Sequence, residues 1–199
     1  HKTWVLSRLA IEINEMPEQY ASFNVETWVE SAMRYFTNRN FRVIGDSGKV
    51  YGYGRSVWAM IDTETRQPQD ILAIRDGAIN DWITADVECP IDKGSRVKMA
   101  HDLPVVRTID TYYNDVDVNG HINSVKYIEH VLDLFSIEWY KQYDLRRLEI
   151  AYVAESHGGD RLTFRIQDGT DELEKSISIS KLSENGSNSV EVSRCMVKF

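Results

Sequence analysis

The sequence predicts an α+β protein built as a duplicated unit: a strand, then a long helix, then an antiparallel sheet that wraps the helix. One segment, 123–143, repeats its apolar residues at helical spacing. Strand-like runs follow it, and runs of similar pattern recur in the first half of the chain. The regular strand–helix alternation that builds a parallel sheet is missing from the pattern.

The second half opens on "PVVRTIDTYYNDVDV" (104–118), rich in β-branched and aromatic residues and read as a strand. The helix is "NSVKYIEHVLDLFSIEWYKQY", whose Val125, Ile128, Val131, Leu132, Phe135 and Trp139 form one stripe expected to be buried. Strands are expected at "RRLEIAYVAES", "DRLTFRIQDGT", "LEKSISISKLS" and "SVEVSRCMVKF". Alternation is clear at Leu162, Phe164 and Ile166 and again at Ile177 and Ile179, and "ENGSN" (184–188) is a turn signal.

In the first half, "RLAIEINEM" parallels "RLEIAYVAE" and "FNVETWVES" parallels "LTFRIQDGT". The run 32–62 parallels the last hairpin, with "GDSGK" as its turn. No counterpart of the leading strand and helix is visible there. The first unit is therefore expected to be truncated at its start, with residues missing upstream of His1. The resulting division is an N-terminal unit over 1–62, a connector over 63–103 and a C-terminal unit over 104–199. The connector carries Pro68 and Pro90, runs into Pro104, and has a short helical piece around Ala78 to Thr84.

Composition excludes several classes. A net charge of −8 and a pI near 5.2 argue against nucleic acid as a partner. No apolar run reaches the roughly 20 residues that cross a bilayer. The two cysteines, Cys89 and Cys195, form no CxxC pair and fit a reducing compartment, the cytoplasm.

The stretch "DVDVNGHINSVK" (115–126) holds the densest chemistry. Asp115, Asp117, Asn119 and Gly120 match the opening of a calcium loop, but the twelfth position, which needs a bidentate carboxylate, is Lys126. A strand-like run also precedes the loop where a helix should. A bland alternative is helix capping by Asn119 or Asn123. Capping does not account for so many polar groups before one apolar stripe. A catalytic turn does: helix N-terminal amides suit a developing oxyanion, and His121 can move protons near neutral pH.

The run "DVDVNGHINSVKYIEHVLDLF" resembles the acyl-acyl carrier protein (ACP) thioesterase family, whose signature is D-x-N-x-H followed by N-x-x-x-Y-I. The resemblance is closest to the bacterial branch and extends along the chain through "WVLSRLAIEI", "FNVETWVES", "RNFRVI", "RSVWAMID" and "LEIAYVAES". It implies a tandem, or double, hot-dog fold and hydrolysis of the thioester between a fatty acyl chain and a carrier's phosphopantetheine arm. It implies no metal and no organic cofactor. The family's catalytic Asp, Asn and His correspond to Asp117, Asn119 and His121, and its acidic residue on the following strand to Glu155.

Plant members carry cysteine directly after that acid. Here the position is Ser156, so no thiolate can act there and direct attack by water is the expected mechanism. Ser156 stays a secondary candidate. The acyl chain is expected to run toward the first unit, where its length is selected.

Docking of an acidic carrier on this acidic chain needs a local basic surface, and Lys141, Arg146 and Arg147 form the densest cluster near the catalytic half. A second copy of the chain is a further candidate partner. His130 reads as a helix residue at the surface or half-buried, and His157 as a loop residue bordering the site at most. An acyl-CoA thioesterase of the same fold, or a non-hydrolytic acyl-binding module, are the competing functions. The four-residue set speaks against the binder, which needs no proton transfer.

Overall fold

The computed structural model describes residues 1–84, 86–94, 96–182 and 189–199; the turn signal at 184–188 lies outside them. The chain divides into two compact units, His1–Gly94 and Ser95–Phe199.

In the first unit β1 (Lys2–Ile13), β2 (Phe23–Ala32), β3 (Phe36–Gly45) and β4 (Val50–Asp62) pair antiparallel in the order β2-β3-β4-β1. The "GDSGK" turn joins β3 to β4 as expected, with Gly48 N–H donating to Gly45 O at 2.9 Å. Cross-strand register decides what each face carries, because directly opposed residues share a face. Val43 lies opposite Val25 and Gly52, and Phe41 opposite Gly54; Gly52 and Gly54 in turn lie opposite Ile13 and Ile11. The two glycines put no side chain in the middle of this apolar face. The result is a groove of about 480 Å³ lined by Leu9, Ile11, Ile13, Phe23, Val25 and Val43 among others.

The opposite face is covered by the segment after β4. Trp28 packs with Cys89 and Ile91, and its indole N–H donates to Val87 O at 3.0 Å. Arg55 donates to Cys89 O (2.6 Å) and Ile91 O (2.7 Å) and pairs with Glu30 at 2.6 Å. This segment opens with a 3₁₀ stretch, Ile74–Trp82, whose regular geometry is broken at Arg75, Asp76 and Gly77. The helical piece expected around Ala78 falls within it and stops short of Thr84. Among the described residues the first unit has no α-helix.

In the second unit β5 (Val105–Asp110), β6 (Arg147–Tyr152), β7 (Arg161–Asp168), β8 (Glu174–Leu182) and β9 (Ser189–Lys198) pair antiparallel in the order β6-β9-β8-β7-β5. Leu162, Phe164, Ile177, Ile179, Val192, Cys195 and Val197 are fully buried, the alternation read in β7 and β8. Helix α1 (Ser124–Leu132) lies on this sheet. Tyr127 meets Tyr152 edge-on at 5.9 Å, His130 meets Phe164 at 6.5 Å, and Tyr152 Oη donates to Ser124 O at 2.8 Å.

The expected long helix is not continuous: α1 has nine residues and is followed by a separate four-residue turn of helix, α2 (Ile137–Tyr140). The terminal carbonyls of α1 find partners from elsewhere, which removes the drive to propagate. Arg107 Nη1 donates to Asp133 O at 2.6 Å and Tyr140 Oη to Leu132 O at 2.7 Å. Ser136 then caps α2 by accepting from Trp139 N, and Phe135, Trp139 and Tyr140 gather on Phe199.

The predicted stripe is corrected accordingly: Tyr127 and Val131 are the buried residues of α1, while Val125 is 55% exposed. The strand predicted over 104–118 also ends early, at Asp110. Asp115 closes a tight turn there, its Oδ2 accepting from Tyr112 N at 2.8 Å and its own N–H donating to Tyr112 O at 2.9 Å. Among the described residues, no helix is long and apolar enough to cross a membrane.

Candidate active site

The turn from Asp115 to Asn123 is folded by its own acids. Asp117 Oδ1 accepts from the backbone N–H of Asn119 (2.8 Å) and of His121 (3.2 Å), and Gly120 N–H donates to Asp117 O at 3.1 Å. Gly120 has φ +82°, a left-handed conformation that a side chain disfavours, which is why the turn needs glycine there. Of the two capping candidates, Asn123 serves: its side chain accepts from Val125 N at 2.9 Å, and its backbone O accepts from Lys126 N. Those two amides are therefore engaged at the start of α1. The exposed side-chain amide of Asn119 lies 3.5 Å from Asp117 Oδ2.

The second segment of the site runs from Glu155 to Asp160, beyond the end of β6 rather than on it. Backbone pairing joins the two segments: Ile122 N donates to Ser156 O at 2.8 Å, and His121 and His157 form an antiparallel bridge. His121 is brought to Glu155, with Nε2 3.5 Å from Oε2.

Asp160 fastens this segment at its far end. Its Oδ2 accepts from His157 N (2.9 Å) and from Lys181 Nζ on β8 (3.0 Å), and its backbone O accepts from Thr111 Oγ1 at 2.7 Å. Burial alone would push the Asp160 carboxyl up. The His157 amide and the Lys181 ammonium outweigh it and hold the group below the usual carboxylate range.

Ser156 is buried, 1% exposed, and its Oγ meets no partner of hydrogen-bond geometry among the described residues. It faces Tyr127, whose hydroxyl is pushed up in pKa by its own burial. Among the described residues, no group of three or more His, Cys, Asp or Glu side chains is arranged to hold a metal ion. Lys126 Nζ, at the position a calcium loop reserves for a carboxylate, pairs instead with Glu129 at 2.7 Å.

The basic cluster is unlike a bare cationic patch. Lys141 lies 3.9 Å from Glu138, Arg146 3.2 Å from Asp144, and Arg147 2.8 Å from Glu149, whose side chain is only 7% exposed. Arg147 thus turns inward.

Two features go beyond the sequence reading. His157 shares the site: its ring lies 5.0 Å from that of His121, edge-on at 62°. Its spacing two residues after Glu155 was the only available signal. Asp115 and His130, fifteen residues apart, form a partly buried pair with Nε2 2.8 Å from Oδ1. No periodicity links those two positions. Asp115 also accepts Asn123 N on its backbone O at 2.8 Å, so it joins the turn, the cap and the second turn of α1.

Compared with solved structures, the whole chain superposes on an acyl-ACP thioesterase from Bacteroides thetaiotaomicron. The TM-score is 0.88 at 50% identity, covering 76% of that chain. The 12:0-ACP thioesterase from Umbellularia californica matches 99% of this chain and 75% of its own at TM-score 0.82 and 18% identity, a likeness of fold. The class is thus a hot-dog-like fold of the thioesterase type. Residues 1–74 match the model of the acyl-ACP thioesterase N-terminal domain and residues 98–195 that of the C-terminal domain; the chain belongs to the acyl-ACP thioesterase family.

Among curated relatives, a chloroplastic acyl-ACP hydrolase of Cuphea viscosissima is 30% identical over 162 residues, 76% of this chain and 38% of that protein. The chloroplastic oleoyl-acyl carrier protein thioesterase 2 of Arabidopsis thaliana is 26% identical over 172 residues, 80% of this chain and 46% of its own. The chain spans under half the length of these two relatives.

Proposed function

We propose that this protein hydrolyses the thioester of fatty acyl-ACP and releases a free fatty acid, using Asp117, Asn119, His121 and Glu155. The observation that carries the proposal is the approach of His121 Nε2 to Glu155 at 3.5 Å, beside the one turn that also bears Asp117 and Asn119, in a chain of this family. Glu155 and His121 share the general-base and proton-transfer work on an attacking water. The Asn119 amide polarises the thioester carbonyl. Asp117 holds the turn in shape through the amides of Asn119 and His121. The proton taken from water passes to the leaving thiolate, so the thioester C–S bond breaks as the new C–O bond forms.

Ser156 is not assigned a covalent role, because its buried hydroxyl has no hydrogen-bonded base among the described residues. The reading keeps the double hot-dog division into 1–62, a connector over 63–103, and 104–199. The connector's hold on Trp28 and Arg55 supports a bracing role for it. The open groove of the first unit supports selection of acyl length there. Carrier docking belongs on Lys141 and Arg146, whose heads remain half exposed or more, with Arg147 behind them as a buried brace. Two buried, unpaired cysteines are compatible with the cytoplasm.

The test is release of fatty acid from acyl-ACP by purified protein. His121→Ala and Asn119→Ala should each lower kcat about 10²- to 10⁴-fold with the thermal midpoint unchanged. Ser156→Ala should be nearly silent, and a loss as large as that of His121→Ala would overturn attack by water in favour of an acyl-serine. Equal kcat/KM on the same chain carried by CoA would move the assignment to an acyl-CoA thioesterase. Binding without turnover on either carrier would leave an acyl-binding module.

A further inference from the structure

His121 and Glu155 stand on different segments, so their separation is set by whatever fastens one segment to the other. The segments meet at the His121–His157 bridge, beside which Ile122 N donates to Ser156 O at 2.8 Å. They meet again at Thr111, which lies between the end of β5 and the turn. Thr111 is 3% exposed, and its contacts all run to the far end of the Glu155 segment. Its hydroxyl, with one proton to give, lies 2.7 Å from Asp160 O and 3.2 Å from His157 O. Its backbone N–H donates to Asp160 O at 3.1 Å, and its backbone O accepts from Gly159 N at 3.3 Å. The next residue, Tyr112, donates its N–H to Asp115 Oδ2 at 2.8 Å and so holds the root of the turn. Gly158 approaches Val116 on that turn closely enough that a Cβ would lie 2.9 Å from Val116 Cγ2.

We infer that Thr111 is a positioning residue that sets the distance between His121 and Glu155. The inference rests on the hydrolytic reading of the site. Along the chain, Glu155 and Asp160 lie on opposite sides of the bridging His157. A segment held at the bridge alone is free to tilt about it, and a tilt that lifts Asp160 swings Glu155. The Thr111 hydroxyl opposes that tilt by tying the Asp160 end to the strand that leads into the turn. Lys181 secures the same end from β8, through Asp160 Oδ2 at 3.0 Å. The separation of His121 Nε2 from Glu155 Oε2, 3.5 Å, leaves little room for error. A misplacement of about 1 Å at reacting groups costs on the order of 10²-fold in rate.

The test is kcat and KM on a saturated acyl-ACP for wild type, Thr111→Val, Thr111→Ser and a control, Thr163→Val. Val keeps the branched shape and removes the hydroxyl, whereas Ser keeps the hydroxyl. The control removes a similar bond within the sheet, from Thr163 Oγ1 to Ser180 O at 3.1 Å. Thr111→Val should lower kcat about tenfold with KM unchanged. Thr111→Ser should recover most of that loss, and Thr163→Val should keep the wild-type kcat. In a His121→Ala background Thr111→Val should cost nothing further, because no pair is left to position. Wild-type kcat in Thr111→Val, an equal loss in Thr163→Val, or an undiminished loss in the His121→Ala background overturns the inference.

A second readout needs no turnover: hydrogen exchange at the His157 and Gly159 amides in wild type and Thr111→Val. Exchange at both should quicken when the hydroxyl is removed. If it does while wild type leaves acyl-ACP intact, the functional reading has failed and the fastening stands. If wild type hydrolyses acyl-ACP and Thr111→Val matches it in exchange and in kcat, the fastening alone has failed.

Discussion

In the first unit the sheet face carrying Phe23, Val25, Phe41 and Val43 opens into a groove, with Phe23 50% and Val25 59% exposed. In the second unit Leu162, Phe164, Ile177 and Ile179 reach zero exposure, with α1 resting against β6 and β7. Both sheets are antiparallel and both alternate apolar residues. They differ in what stands opposite those residues. Gly52 and Gly54 place no side chain between the neighbouring strands, whereas β8 sets Ile177 and Ile179 against Cys195, Ile166 and Phe164. The open face suits an alkyl chain, which asks only for apolar area. The closed one provides a rigid floor beneath the helix and turn that hold the titratable groups, and proton transfer needs such fixed distances.

The largest effect that tests this contrast is Phe164→Ala. Emptying a fully buried site beneath α1 should cost about 3–5 kcal/mol in urea-melt stability. Phe23→Ala, on the groove rim, should cost under about 1 kcal/mol. Equal losses would erase the distinction between a closed and an open face.

Next comes Asp115→Ala, which strips partners from His130 Nε2 and the Tyr112 N–H. Leaving such partly buried groups unpaired should cost on the order of 1 kcal/mol. Because Asp115 also anchors the turn, kcat should fall with KM little changed; wild-type kcat would detach the clasp from the site.

The Asp160 carboxylate gives a smaller, pH-gated effect. Its folded pKa lies below the ordinary value, so its stabilisation is present above the unfolded aspartate pKa of about 3.9 and is lost as pH falls through the lower folded value. Denaturation midpoints between about pH 2 and 6 should fall at the acid end in wild type. Asp160→Asn should flatten that fall, and an identical profile would refute the linkage.

The smallest change in stability is expected from Gly54→Val. An added Cβ there meets Phe41 at 3.5 Å, an ordinary contact, and the branched side chain should shorten the groove. Preference across a panel of acyl-ACP lengths should move to shorter chains, and an unmoved preference would take chain selection away from this face.

From the sequence alone follow most of the strands, the "GDSGK" turn, the glycine-dependent turn at 117–120 and the family. These are local matters: alternation, turn chemistry and motif spacing act over a few residues.

What only the tertiary structure decided depends on partners far along the chain. The helix ends at Leu132 because Arg107 and Tyr140 take its terminal carbonyls, a competition invisible to a stripe of apolar residues. Val125 belongs to that stripe yet faces solvent, since the sheet meets α1 through Tyr127, Val131 and His130. Asp115 loses its calcium role by sequence and gains an anchoring one only when folding brings His130 to 2.8 Å. His157 enters the site because backbone pairing with His121, and not any motif, fixes where its ring lies.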